Sequence, residues 1–199
     1  MDETLLRSEM VRYGVWADDG HYAYSSGRHG NTHYDKHGVS VHPYLLKLLS
    51  ATFAAHIDDG EVDAVLSPAY SGIPLVHWTA AFLTEKAKRE ILAIYAVKAP
   101  EKTPHRFMFI GGMDMFIKDK KIVILEDNIN TGESIRELTK LITTHGGKVT
   151  KVVTILNKGG VQLEEVEQVT LFSQNIHAWR TKDCPLCPAP ITPLPKRLL

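Results

Sequence analysis

Ile122-Val123-Ile124-Leu125-Glu126-Asp127-Asn128-Ile129-Asn130-Thr131-Gly132-Glu133-Ser134 is the stretch that decides the fold. Four apolar residues, three of them β-branched, are the composition of a buried strand. They run into two adjacent carboxylates and a short loop with Thr-Gly. A helical pattern follows over residues 134–144 and stops at Gly146-Gly147, a C-terminal glycine signal. Successive backbone N–H groups at such a loop and helix start form an anion site. Gly132 lets the backbone approach a ligand closely. The Thr131 and Ser134 hydroxyls add hydrogen bonds. Glu126 and Asp127, at the strand end, are acceptors suited to two vicinal hydroxyls. The chemistry that fits is a ribose 5-phosphate. The plainer alternative is a strand, a turn and a helix capped by Asn130 or Ser134.

Outward from this stretch, apolar strands alternate with helices. Strands are expected at 62–66, 91–97, 121–125 and 149–156, with helices at 43–57 and 73–82. Residues 4–14 carry a weaker helical pattern. Such alternation implies crossover connections and a parallel sheet, hence an α/β fold. Ligands of parallel sheets bind beyond the carboxyl ends of the strands. The chemistry is therefore expected at 67–74, 98–112, 126–134 and 157–160.

Two of those segments carry further candidates. Ser67-Pro68-Ala69-Tyr70-Ser71-Gly72-Ile73-Pro74-Leu75 is a tight turn into a helix, with Pro74 near its first position. Residues 98–112 hold Lys98, Lys102, His105 and Arg106, interrupted by Pro100, Pro104, Gly111 and Gly112. Cationic groups this dense suit a polyphosphate clamp, and a long irregular loop in an α/β domain is often a lid. The plainer alternative is a solvated surface loop. Residues 20–36, rich in Tyr, Ser, Gly and His, are expected to form two short strands around a turn at Ser26-Gly27.

Composition narrows the class. The chain has 199 residues, 44% hydrophobic and 23% charged, which suits one globular domain able to bury a core. Its formal net charge is zero, so no global field draws nucleic acid. No apolar run is long enough to span a bilayer, and Met1-Asp2-Glu3 lacks the basic start of a signal peptide. A cytoplasmic protein is the expectation. The two cysteines, Cys184 and Cys187, form one CxxC pair in a Pro-rich tail. Structural zinc normally takes four ligands, and with His177 nearby the set is still incomplete unless the fold brings further histidines, so no metal is assigned; a metal site and a redox pair stand as alternatives to a tail packed on the domain surface.

The 122–134 stretch resembles the signature of type I phosphoribosyltransferases. The Pro-Ala-Tyr-x-Gly-Ile-Pro run at 68–74 and Ser26-Gly27-Arg28 with Tyr34 are similar to the orotate branch. The resemblance covers residues 20 to about 160. It implies a central parallel sheet flanked by helices, a small N-terminal base-binding hood at about 15–40, a core at about 41–172 and the tail beyond. It implies that Glu126, Asp127, Asn130, Thr131, Gly132, Glu133 and Ser134 bind 5-phosphoribosyl-1-pyrophosphate, helped by Tyr70, Ser71, Gly72 and Arg106. Lys98, Lys102, His105 and Asp127 would be catalytic. Ser26, Gly27, Arg28, Tyr34 and Lys158 would meet a nitrogenous base. Mg²⁺ as cofactor and a homodimer are implied too. The chain departs from the orotate pattern at Ser25, Ser71 and Asn157-Lys158, where lysine, lysine and Asp-Arg are usual, so another base is the alternative acceptor. A non-catalytic regulator that binds the same donor is a further alternative, disfavoured by the lysine-bearing loop and the absence of a basic helix.

Overall fold

The computed structural model describes residues 3–24, 26–101, 103 and 106–192. Lys102 and His105, two of the expected catalytic residues, and Ser25 lie outside the described residues. The chain divides into two units, Met1–Leu45 with Asn175–Leu199, and Leu46–Gln174.

In the first unit, α1 (Glu3–Arg12) buries Leu6 and Met10, four residues apart and so on one helical face. Four short strands follow, β1 (Trp16–Ala17), β2 (Tyr22–Ala23), β3 (Arg28–Gly30) and β4 (His33–Tyr34). β1 pairs with β4 and β2 with β3, both antiparallel. Two strands were expected here; pieces of two or three residues are too short to show alternation. The helix α2 (Lys36–Val41) is capped by Asp35, whose carboxylate accepts from the His37 N–H at 3.1 Å.

The second unit takes up α3 (Pro43–Ala55), β5 (Ala64–Pro68), α4 (Gly72–Ala87), β6 (Leu92–Lys98), β7 (Phe107–Met108), β8 (Lys121–Ile129), α5 (Glu133–Thr144), β9 (Lys148–Asn157) and β10 (Glu167–Ser173). Six strands form one sheet in the order β10-β9-β8-β5-β6-β7. All neighbours are parallel except β7, which runs antiparallel to β6. The expected α/β architecture is present. Strands covered on both faces read as continuous apolar runs, and Ala64, Val65 and Leu66 of β5 are fully buried. Leu66, Ile94, Ile124 and Val152 from the sheet pack with Leu138 and Ile142 of α5.

Three elements differ from expectation, each through tertiary pairing. β8 continues past Leu125 to Ile129, so Glu126 and Asp127 lie within the strand, not after it. Its ladder with β9 runs on to Ile129 opposite Asn157. β10 was not anticipated; it is an edge strand, and of its residues only Phe172 is deeply buried. The supposed irregular loop at 98–112 begins as a hairpin, because Lys98 pairs with Phe107 and Val97 with Met108. Phe107 is buried and anchors the return strand.

Strand order reverses between β5 and β8. From β5 the sheet grows one way to β6; from β8 it grows the other way to β9 and β10. The crevice outside the carboxyl ends at such a switch point is the ligand site of open α/β sheets. The β5–β8 ladder covers Ala64–Leu66 against Ile122–Ile124. The second halves of these strands, with the segments at 69–72 and 130–132, border the crevice. Back in the first unit, β11 (Trp179–Arg180) adds to β3, completing a small sheet of order β11-β3-β2. Among the described residues, no helix is long and apolar enough to cross a membrane.

Candidate functional site

Glu126 and Asp127 are both buried, the latter only 3% exposed. Ionised carboxylates at that depth need donors. The Ser71 hydroxyl donates to Asp127 Oδ2 at 2.5 Å, and the Asn128 amide donates to Asp127 Oδ1. The Asp127 N–H in turn donates to Glu126 Oε1 at 3.2 Å. Ser71 thus ties the turn after β5 to the acidic end of β8, across the switch point. A serine in place of lysine leaves this turn without a side-chain cation and gives it a neutral donor for the carboxylate instead. The Ala69–Tyr70 peptide in this turn is cis. Tyr70 is exposed, and Gly72 opens α4 beside the buried Ser67 side chain; a Cβ at 72 would lie 2.6 Å from Ser67 Cβ.

Beyond Ile129 the chain turns through Asn130 and Thr131, both exposed, into α5. The cap of α5 is Gly132 at φ +75°, with no side-chain capping bond. The cap is therefore neither Asn130 nor Ser134, the two residues of the plainer alternative. A residue in the left-handed region next to a helix start is the kind of turn whose successive N–H groups can form an anion-binding concavity. Thr131 Oγ1 accepts only a long 3.4 Å bond from the Glu133 N–H, and the Arg136 guanidinium holds the Thr131 carbonyl at 2.7 Å. Three residues of the expected phosphate loop, Asn130, Thr131 and Glu133, are therefore solvent-facing at the start of a helix.

The segment after β9 is held against this loop. Asn157 is buried; its amide donates to the Val161 carbonyl at 2.8 Å and its Oδ1 accepts the Val161 N–H at 3.1 Å. The Lys158 N–H donates to the Ile129 carbonyl at 2.9 Å. A carboxylate at 157 would lack the amide donor, so asparagine suits this clasp. Neither it nor Asn128 carries a local sequence signal, because both act through backbone or neighbours set by the fold.

From the hairpin, Lys98 is exposed at the end of β6, and Arg106 forms a 2.7 Å ion pair with Glu133 in the first turn of α5. Both partners are largely exposed, so the pair adds little stability, but it brings two expected donor-binding residues together. A cavity of about 390 Å³ beneath this hairpin, lined by Phe107, Phe109, Leu141 and His145 among others, shares no residue with the acidic pair.

In the first unit, Ser26 and Gly27 are exposed on the β2–β3 turn, Arg28 is exposed at the start of β3, and Tyr34 is half-buried beside Trp16. Arg28 donates to the Ala178 carbonyl at 3.1 Å. Burial pushes the Tyr24 phenol up, so it stays protonated and donates to the Thr32 carbonyl at 2.5 Å. The cysteine pair, given no metal above, lies beside His21 and His29.

Comparison with known proteins adds to this geometry. The family described as the phosphoribosyl transferase domain matches residues 41–187. The orotate phosphoribosyltransferase of Chlorobium phaeobacteroides is 30% identical over 171 residues, covering 85% of this chain and 82% of the relative. The solved orotate phosphoribosyltransferase of Aeropyrum pernix superposes with a TM-score of 0.63 at 18% identity, over 84% of this chain and 93% of its own. Yeast adenine phosphoribosyltransferase, from Saccharomyces cerevisiae, superposes with 0.62 at 16% identity, over 85% and 99%. At these identities the structures share the fold, and the fold alone does not distinguish one base from another.

Proposed function

Because the chain belongs to the phosphoribosyltransferase family, and is thus a pentosyltransferase, we propose that its donor is 5-phosphoribosyl-1-pyrophosphate and its acceptor orotate. The products would be orotidine 5′-phosphate and pyrophosphate, a step of pyrimidine biosynthesis. The observation that carries the donor assignment is the Ser71–Asp127 hydrogen bond, which joins the turn after β5 to the carboxylates of β8 at the switch point. In this reading Glu126 and Asp127 accept from the ribose hydroxyls. The N–H groups from Asn130 to Ser134 hold the 5-phosphate. The turn at Tyr70-Ser71-Gly72 takes the pyrophosphate, with Arg106 and the loop cations Lys98, Lys102 and His105 closing over it.

The base nitrogen gives up its proton to solvent and forms its bond to C1 of ribose as the C1–pyrophosphate bond breaks, and the electron pair of that bond leaves with pyrophosphate. Positive charge develops on the ribose ring in the transition state. The chain's task is alignment, exclusion of water and charge compensation. Mg²⁺ fits as a companion of the donor. Among the described residues, the one group of three or more potential ligands is His21, His29, Cys184 and Cys187, whose nitrogen and sulfur donors do not suit a hard cation. Mg²⁺ would enter on the donor's phosphate oxygens, near Glu126 and Asp127. When bound, it neutralises the leaving pyrophosphate.

Orotate is favoured over other bases by the 30% identical Chlorobium phaeobacteroides relative and by Lys158, a cation just after β9 that would meet the orotate carboxylate. Lysine offers a point charge where arginine offers a planar fork. Lys158→Ala should raise the KM for orotate roughly tenfold or more, the worth of one charged hydrogen bond, with a much smaller change in donor KM. The direct test follows pyrophosphate release with donor, Mg²⁺ and a panel of bases. If wild type releases none above background with orotate yet does so with another base, the orotate assignment fails and the donor assignment stands.

We also propose that the active form is a homodimer, as the family resemblance implies. Met115 and Phe116 are large apolar side chains left exposed on the chain, as an interface would leave them. Sedimentation at micromolar concentration should return twice the 22.2 kDa chain mass. A fully active monomer under those conditions would dismiss the dimer.

A further inference from the structure

The first unit contains a cluster that the transferase chemistry does not use. His21 immediately precedes β2 and His29 lies in β3, so the hairpin sets both imidazoles side by side. β11 pairs with β3, placing Trp179 opposite His29. A short 3₁₀ turn, Thr181–Asp183, then delivers Cys184 to the same point. The Cys187 N–H closes a turn on the Cys184 carbonyl at 3.3 Å, which returns the second sulfur to the cluster. His21 Nε2 is 3.0 Å from His29 Nδ1, Cys184 Sγ is 3.7 Å from His21 Nε2, and Cys187 Sγ is 3.4 Å from His29 Nδ1. All four ligand atoms lie within 4.8 Å of one another, and His21, His29 and Cys184 are buried.

We propose that His21, His29, Cys184 and Cys187 bind one zinc-type divalent cation in a closed tetrahedral site that fastens the C-terminal segment to the β2–β3 hairpin. The spacing is that of a tetrahedron. Bond lengths of about 2.3 Å to sulfur and about 2.0 Å to nitrogen put ligand atoms roughly 3.3–3.8 Å apart. The 3.4 and 3.7 Å separations already match, the 3.0 Å pair must open slightly, and the widest, up to 4.8 Å, must close as the metal draws its ligands in. Two cysteines and two histidines from separate segments are also the borderline-soft donor set that selects zinc over Mg²⁺ or Ca²⁺.

A second observation points to the ligand. His21 Nδ1 lies 2.9 Å from the Ala189 carbonyl, an acceptor only. That bond fixes the proton on Nδ1 and leaves the Nε2 lone pair facing the cluster. A ring held by a backbone carbonyl on its far nitrogen is the usual outer-shell arrangement of a metal-binding histidine. The surroundings reinforce the same geometry. The His21 N–H donates to Thr192 Oγ1 at 3.0 Å, the Thr192 N–H donates to the His21 carbonyl at 2.6 Å, and the Thr181 hydroxyl donates to the Gly27 carbonyl at 3.0 Å. On binding, two thiols lose their protons to solvent and two sulfur–metal bonds form, with no change of oxidation state. The site has no open position and is structural. Its gain is rigidity, since the strands of this unit are only two or three residues long.

The test uses the full chain, purified under reducing conditions without chelator and exposed to Zn²⁺. Native mass spectrometry should find one zinc per chain. Replacement by Co²⁺ should give the intense ligand-field bands of a tetrahedral ion together with thiolate-to-cobalt charge transfer. Both thiols should resist a thiol reagent until a chelator is added. Cys187→Ser, at an exposed position, should weaken zinc at least roughly a hundredfold and reduce the charge-transfer band. If that variant does not fold, the cobalt spectrum and thiol protection of wild type decide. Reduced wild type that takes up no stoichiometric metal, or that binds cobalt without thiolate bands, overturns the proposal.

Discussion

Asp127→Asn should weaken binding of 5-phosphoribosyl-1-pyrophosphate roughly ten- to hundredfold while the protein stays folded. The size follows from the loss of charge-assisted hydrogen bonds to the ribose hydroxyls, each worth about 1.5–3 kcal/mol. The fold should survive because the amide is isosteric. Asn128 can still donate to the remaining oxygen, and the Ser71 hydroxyl can rotate to accept from the new amide, so these two side-chain hydrogen bonds have successors. Titration calorimetry with the donor, alongside an unchanged circular dichroism melt, measures the two halves separately. An unaltered donor affinity in the folded variant would remove Asp127 from the site. Ser71→Ala is the natural companion, since it removes one neutral donor and keeps the carboxylate charge.

Gly132→Val should damage the phosphate loop and the fold together. At φ +75° a β-branched residue is strained, and no helix cap of side-chain type compensates. A Cβ there would sit 2.9 Å from Arg136 Nη1, 3.2 Å from Val161 Cγ1 and 3.3 Å from Leu163 Cδ2. The arginine end is flexible and can move. The two apolar neighbours pack against the core and belong to the segment clasped by Asn157. Backbone strain and overpacking together are expected to cost about 2–4 kcal/mol, lowering Tm by roughly ten degrees. Donor KM should rise as well, because the N–H groups that follow Gly132 lose their aim. Thermal unfolding and initial-rate kinetics on one preparation check both. Wild-type Tm and donor KM in Gly132→Val would show that the left-handed cap is dispensable.

The sequence by itself determined the architecture and marked out the candidate phosphate loop. Near-continuous apolar runs such as 122–125, spaced by helical patterns, specify buried parallel strands, and thirteen contiguous residues carry the acidic pair, the Thr-Gly turn and the helix start. These are local properties, set by side-chain periodicity and by which residue tolerates which backbone angle, so they are visible without the fold. Tertiary structure decided what depends on partners distant in the chain. Ser71 meets Asp127 across 56 positions because β5 and β8 are neighbours in the sheet. Glu126 and Asp127 lie inside a strand because β9 continues alongside them, and the cationic loop begins as a hairpin because β7 returns onto β6. Cys184 reaches His21 across 163 positions only through the pairing of β11 with β3. No window of sequence contains such an encounter, since it is the closure of long loops against sheet pairing and core burial that brings these atoms together.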